Sequence, residues 1–203
     1  MMARNNTTKR GLGRKTFAII VDGETELWYL QMLRRHEALP GISIQPELPK
    51  KKTLAEQFET VKSNAKIYDH SIWVIDLDVV IAENTVDELK TYLEEVKENK
   101  KINILINTPC LEFWFLMHVK DTGKYYPLCA PVGNELTKSD PLKDYAKTER
   151  YFVRTNPDIY KRLRPYLKTG IANAIKRGDF DIEDPQKAKS EMYKLFEILG
   201  IKL

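Results

Sequence analysis

Four short apolar runs separated by stretches of helical periodicity constrain this chain most. They are Phe17-Ala-Ile-Ile-Val21, Ile42-Ser-Ile-Gln45, Ser71-Ile-Trp-Val-Ile75 and Ile102-Asn-Ile-Leu-Ile106. Each is short and rich in β-branched residues, as strands buried in a sheet are. Between the first two, Leu27, Tyr29, Leu30, Leu33 and Arg34 give a helix from Glu24 to about Ala38, stopped by Leu39-Pro-Gly41. Pro46 and Pro49 end the second strand, and Thr53 with Glu56 forms a capping box for a helix running to about Asp69. Asp87 to Lys100 is a charged helix with Leu89, Leu93 and Val96 inward. The alternation predicts an α/β fold with a mainly parallel four-stranded sheet flanked by helices.

After residue 106 the rhythm changes. Asn107 to His118 reads as a turn into an apolar helix, residues 121–138 as irregular, and helices are expected over 139–151, 157–177 (bent or split by Pro165) and 186–199. The expected organisation is a flexible basic arm at 1–14, an α/β core at 15–120, and a helical C-terminal extension at 121–203 packed on that core. The 203 residues, 42% hydrophobic and 31% charged, suit an ordinary globular protein, and no apolar run approaches a membrane span of roughly 20 residues. The polar N-terminal stretch has no signal-like apolar region, which gives the expectation of a cytoplasmic protein. The two cysteines, Cys110 and Cys129, are expected to be buried free thiols, being too few for a closed zinc site.

A net charge of +4 permits contact with a polyanion without demanding it. Basic clusters lie at Arg4 to Lys15, at Lys50-Lys51-Lys52, and at Lys161-Arg162 with Arg164 and Lys168. Lys50, Lys51, Lys52, Arg162 and Arg164 are the candidate phosphate contacts, and each cluster is equally readable as a solvated face.

The candidate chemistry is acidic. Asp22 and Glu26 follow the first strand, and Asp76 and Asp78 follow the third. In an open α/β sheet, ligand sites form outside the C-terminal strand ends, so these four can converge. Carboxylates brought together repel one another unless a cation neutralises them, and Mg²⁺ (or Mn²⁺) takes oxygen ligands of this kind. Acids at a helix start also suit the helix dipole, the plainer explanation of this run. Glu112, inside the run Leu111-Glu-Phe-Trp-Phe115, needs a partner if buried: a loop, a metal or a basic residue. His118 reads as a satisfied core or interface histidine rather than a ligand. There is no Walker motif, so ATP hydrolysis by this chain is not expected.

Phe17–Glu26 resembles the opening motif of the RloB-like proteins, a strand followed by Glu-Gly-x-x-Thr-Glu. Ile72–Asp78 matches their second acidic motif, and Asn107–His118 is close to their Ser-Asn-Pro-x-Phe-Glu-x-Trp signature with its following histidine. Asp144-Tyr-Ala-Lys147 looks like their later Tyr-x-Lys region. The resemblance covers about 15–150, with a weaker tail to 199. It implies a Toprim-like fold and a metal-dependent nuclease cutting DNA or RNA, similar to the nuclease part of OLD- and Abi-type phage-defence systems. It also implies an AAA/ABC-type ATPase partner protein. By that resemblance Asp22, Glu26, Asp76 and Asp78 are the catalytic and metal-binding acids, with Glu112, Lys147 and His118 in support. Asp22 stands where the family carries Glu, one methylene shorter. The alternative is a non-catalytic nucleic-acid-binding or effector-docking subunit. A homo-oligomer is compatible with either.

Overall fold

The structure, a computed structural model, describes residues 15–39, 42–45 and 53–202. The basic arm and Lys50, Lys51 and Lys52 lie outside the described residues. In chain order the elements are β1 (Phe17–Ile20), α1 (Glu24–His36), β2 (Ile42–Gln45), α2 (Leu54–Ala65), β3 (His70–Asp76), α3 (Leu77–Ala82), α4 (Val86–Val96), β4 (Ile102–Thr108) and α5 (Leu111–Val119). Then follow α6 (Cys129–Leu136), a 3₁₀ turn (Asp140–Leu142), a π-helical turn (Arg150–Arg154) and α7 (Ile159–Leu163). A second 3₁₀ turn (Arg164–Tyr166), α8 (Leu167–Arg177), β5 (Lys189–Ser190) and α9 (Met192–Ile198) complete it.

The sheet order is β2-β1-β3-β4-β5, with the first four strands parallel and β5 antiparallel to β4. Period-two alternation divides the core between its faces. Phe17, Ile19, Val21, Ile72, Val74 and Leu105 pack with α1, α5 and the C-terminal helices. Ala18, Ile20, Trp73, Ile75 and Ile106 face α2 and α4, including Phe58, Val61 and Leu89. Burial on both faces is why these strands are nearly continuous apolar runs. The chain leaves β1 toward β2 on one side and β3 toward β4 on the other. The crevice between the ends of β1 and β3 is therefore the topological switch point of the sheet.

The expected four-stranded parallel sheet and its flanking helices are present, with β5 added at the β4 edge. Several boundaries differ for local reasons. The second helix ends at Ala65 rather than near Asp69, and the charged helix spans Val86–Val96. The unforeseen α3 follows β3 directly, burying Leu77 and Val80. The segment 121–138 is not wholly irregular: α6 forms because Val132 and Leu136, four apart, are buried, and Pro131 sits in its first turn. No α-helix covers 139–151. Pro141 starts only a 3₁₀ turn, and the polar stretch after Leu142 offers no apolar stripe. The segment 157–177 is split at Pro165 into α7 and α8, joined by the 3₁₀ turn. Residues 186–199 begin as a strand, because Lys189 and Ser190 pair with the exposed edge of β4 before α9 starts. Glu191 secures that edge by accepting from the Ile106 amide at 3.0 Å.

The core that packs beneath α1 continues through Tyr126, Phe152, Tyr160 and Phe196, so 121–202 shares one hydrophobic cluster with the sheet. Among the described residues no helix is long and apolar enough to cross a membrane.

His118 lies buried where α5 meets α8, its Nδ1–H donating to the Trp114 carbonyl at 2.9 Å. Gly170 leaves room for the ring, since a Cβ there would lie 2.9 Å from its Cε1 and Nδ1. Gly170→Ala is therefore expected to cost about 1–3 kcal/mol by overpacking, outweighing the roughly 1 kcal/mol of helix propensity gained. The urea midpoint should fall; an unchanged or raised midpoint would contradict this packing. Burial also holds the His118 pKa down to about 4. The unfolded chain then binds the proton first on acidification. His118's contribution is full above about pH 6.5 and is lost as pH falls toward 4. His118→Leu should accordingly lose less stability than wild type between pH 7 and pH 5.

Candidate active site

At the switch point a cleft of about 370 Å³ is lined by Asp22, Gly23, Glu24, Thr25, Glu26, Trp28, Asp76, Val79 and Lys147. Three of the four acids singled out from the sequence thus share one cavity with the predicted lysine. Asp22 sits exposed at its rim, where its Oδ1 accepts from Gln57 Nε2 at 2.8 Å. Gln57 in turn accepts from the Trp73 indole N–H at 3.0 Å, so the core of the opposite face sets where Asp22 stands.

Glu26 projects from the first turn of α1 and is 5% exposed. Gly23 permits this, since a Cβ at that position would come within 2.6 Å of Glu26 Oε2. Burial, with Glu112 and Asp22 nearby, pushes the Glu26 carboxyl up to about 7. Asp76 ends β3 and is 7% exposed. Burial first, then the charges of Glu26, Glu112 and Asp78, raise its pKa well above the usual carboxylate range. A backbone bond from Leu111, the first residue of α5, opposes that rise. Asn107 Nδ2 reaches Asp76 Oδ1 at 3.4 Å, and Ser190 Oγ donates to Asn107 Oδ1 at 2.6 Å. The terminal strand β5 therefore helps to orient an acid on β3.

Glu112 in α5 is almost fully buried and, though not part of the cleft lining, is tied to it through Lys147. Its Oε1 accepts from Tyr145 Oη at 2.8 Å and lies 3.1 Å from Lys147 Nζ. Burial works against the charge of Lys147, but Glu112, Glu26 and Asp76 together raise its pKa. Asp78, in the first turn of α3, is half-buried, and burial raises its pKa while backbone bonds from Cys129 and Val79 oppose the rise. Asp76, Glu112 and the Cys110 sulfur bring one atom each within 4.8 Å of one another, as do Asp78 and the two cysteine sulfurs.

The cysteines are not free thiols. Cys110 and Cys129 form a disulfide, because the turn into α5 and the start of α6 meet beside Glu112. Cys129 Sγ lies 2.9 Å from Glu112 Oε2, a contact without a proton in the disulfide state.

Other predicted site residues fall elsewhere. His118 packs edge-on against Trp114 at 4.5 Å, away from the cleft lining. Arg162 bonds the Pro157 carbonyl and stacks over Tyr151, and Arg164 pairs with Glu37 at 2.6 Å. Both guanidinium groups brace the C-terminal helices. Gln57 was not foreseen, and nothing in its local pattern marks it. Tyr145 and Asn107 lay inside motifs already singled out, without a role assigned to either.

Glu26, Asp76 and Glu112 are three buried carboxylates, and among the described residues one lysine, Lys147, acts on them, paired directly with Glu112. All oxygen and under-neutralised, the set suits a divalent cation, with Asp76 and Glu112 already close together and Glu26, which belongs to no such tight group, having to move in. Asp76, Glu26 and Glu112 are the residues that would hold it, with Asp78 and Asp22 near enough to bear on its charge. Without a bound cation, Glu26 costs stability progressively as pH rises from 4.5 through about 7, because its folded pKa exceeds its unfolded value and the charged form is the disfavoured one. Glu26→Gln should therefore stabilise the chelated protein at pH 8.5, by an amount on the order of 1–3 kcal/mol, and by little at pH 4. Thermal melts in EDTA check this. Equal or lower stability of the variant at pH 8.5 would contradict it.

A model of the RloB-like protein family matches residues 17–199. The chain belongs to that family. No curated protein and no solved structure matches it.

Proposed function

We propose that this RloB-like chain is a metal-dependent nuclease that hydrolyses phosphodiester bonds of DNA or RNA in a phage-defence or abortive-infection system, alongside an ATPase partner. One observation carries the reading: Glu26 and Asp76 line the switch-point cleft as buried carboxylates, and Lys147 beside them pairs with the buried Glu112. The family resemblance of the motifs that supply them, with the Toprim-like fold it implies, adds to it.

Mg²⁺ or Mn²⁺, when bound by these carboxylates, would neutralise phosphate charge and lower the pKa of a water. The chain's own groups divide the remaining work. Asp76, fixed by Asn107 and by the start of α5, orients the ligand cluster. Lys147 is half-exposed beside Glu112 and can present its ammonium to a phosphate oxygen entering the cleft. Glu26, held up to about 7 by burial when no cation is bound, would ionise on binding one and so serve as a ligand rather than as the base. Asp22 stands at the rim on Gln57, where its shorter side chain meets substrate or solvent rather than the buried acids. The low net charge leaves polyanion binding to local basic groups, so binding should weaken with salt.

Purified protein with Mn²⁺ or Mg²⁺ is expected to cut plasmid, single-stranded DNA or RNA, and EDTA should abolish cutting. Asp76→Asn and Glu112→Gln should each lower the rate by at least about 100-fold, and Lys147→Ala by about 10–100-fold. Cutting that survives Asp76→Asn, or none by wild type with its partner present, would overturn the nuclease reading. The second outcome would favour a non-catalytic nucleic-acid-binding or docking subunit.

A further inference from the structure

The Cys110–Cys129 disulfide has no part in the chemistry above, yet it sits against the wall of the acid cluster. Cys110 directly precedes α5, two residues before Glu112, and Cys129 opens α6. The Cys129 backbone amide serves the Asp78 carboxylate, and its sulfur lies 2.9 Å from Glu112 Oε2. Cys110 Sγ belongs to the tight group with Asp76 and Glu112. One covalent link therefore lies against Glu112 and within 4.8 Å of both Asp76 and Asp78. The two cysteine residues also differ in exposure. Cys110 is 1% exposed, whereas Cys129 is only partly buried and lies between exposed Leu128 and Ala130.

We propose that Cys110–Cys129 is a reversible thiol–disulfide modification site, opened by a dithiol through attack on Cys129, and that the bond clamps α6 against the acid cluster. A dithiol thiolate attacks Cys129 Sγ, the S–S bond breaks, and Cys110 leaves as the buried thiolate. The second thiol of the reductant then displaces Cys129, yielding the oxidised cyclic disulfide of the reductant and two protein thiols. Two electrons pass to the protein, and two protons from the dithiol complete the thiols. The Cys129 S–H so formed gains a proton to share with Glu112 Oε2, which the disulfide lacks. Asp78 loses the fixed position of the amide that serves it. The reduced protein then holds its acids less rigidly, and weaker divalent-cation binding follows; this last consequence alone rests on the metal-site reading.

The test compares oxidised protein, protein treated with dithiothreitol, and the double variant Cys110→Ser/Cys129→Ser. Thiol titration should show that the folded protein yields its two thiols to dithiothreitol without denaturant. Amide exchange over 120–136 should quicken at least tenfold on reduction. The Mn²⁺ dissociation constant should rise about tenfold, the scale set by loss of groups that orient metal ligands. The double variant should match the reduced protein in exchange and affinity. A disulfide that resists the dithiol until the protein unfolds would overturn the modification site, and unchanged exchange would overturn the clamp. Altered exchange with unchanged Mn²⁺ affinity would remove its link to the metal. No Mn²⁺ binding in any form would overturn the metal reading, while thiol titration and exchange still decide the clamp.

Discussion

Burying carboxylates without matching cations is the constraint on which this structure turns. Glu26, Asp76 and Glu112 are each less than a tenth exposed, and among the described residues the cation beside them is Lys147, paired with Glu112. Isolated buried charges are strongly unfavourable, so such a cluster persists only where surrounding groups hold it and something offsets its charge. The surroundings are specific: Gly23 gives Glu26 its space, Asn107 and the start of α5 hold Asp76, and Tyr145 with Lys147 satisfies Glu112. Each device costs stability or sequence freedom that a purely structural core would not require.

The sheet explains why these groups meet. Parallel strands reached by helical crossovers bring the ends of β1 and β3 side by side, with α1 and α3 starting there. The chain then returns after α8 to add β5 beside β4, and Ser190 on that strand reaches Asp76 through Asn107. The C-terminal part thus completes the site as well as the hydrophobic cluster. Arg162 and Arg164, candidates for phosphate contact, instead tie the C-terminal helices to Pro157 and Glu37.

Much of this was legible in the residues. The short β-branched runs and the capping box at Thr53 and Glu56 are local signals, and both appear in the structure as strands and a helix start. So is the convergence of Asp22, Glu26 and Asp76, which follows from strand ends in a parallel sheet. What stayed hidden depends on contacts far apart in sequence. Gln57 reaches Asp22 across 35 positions, and Ser190 reaches Asn107 across 83. The disulfide required knowing that α6 exists and where it docks, and a segment with two glycines and two prolines concealed that helix. The residues alone point to His118 as a satisfied core histidine, which is how its buried ring sits against Gly170, and only the motif resemblance points it to the site.

The central claim is that the acid cluster is built for a divalent cation. Anomalous diffraction from a crystal soaked in Mn²⁺ tests it most directly. The account predicts a peak between Glu26, Asp76 and Glu112, with carboxylate oxygens about 2 Å away as for a hard cation. A fully soaked crystal with no peak there, and with Lys147 still paired to Glu112, would contradict it.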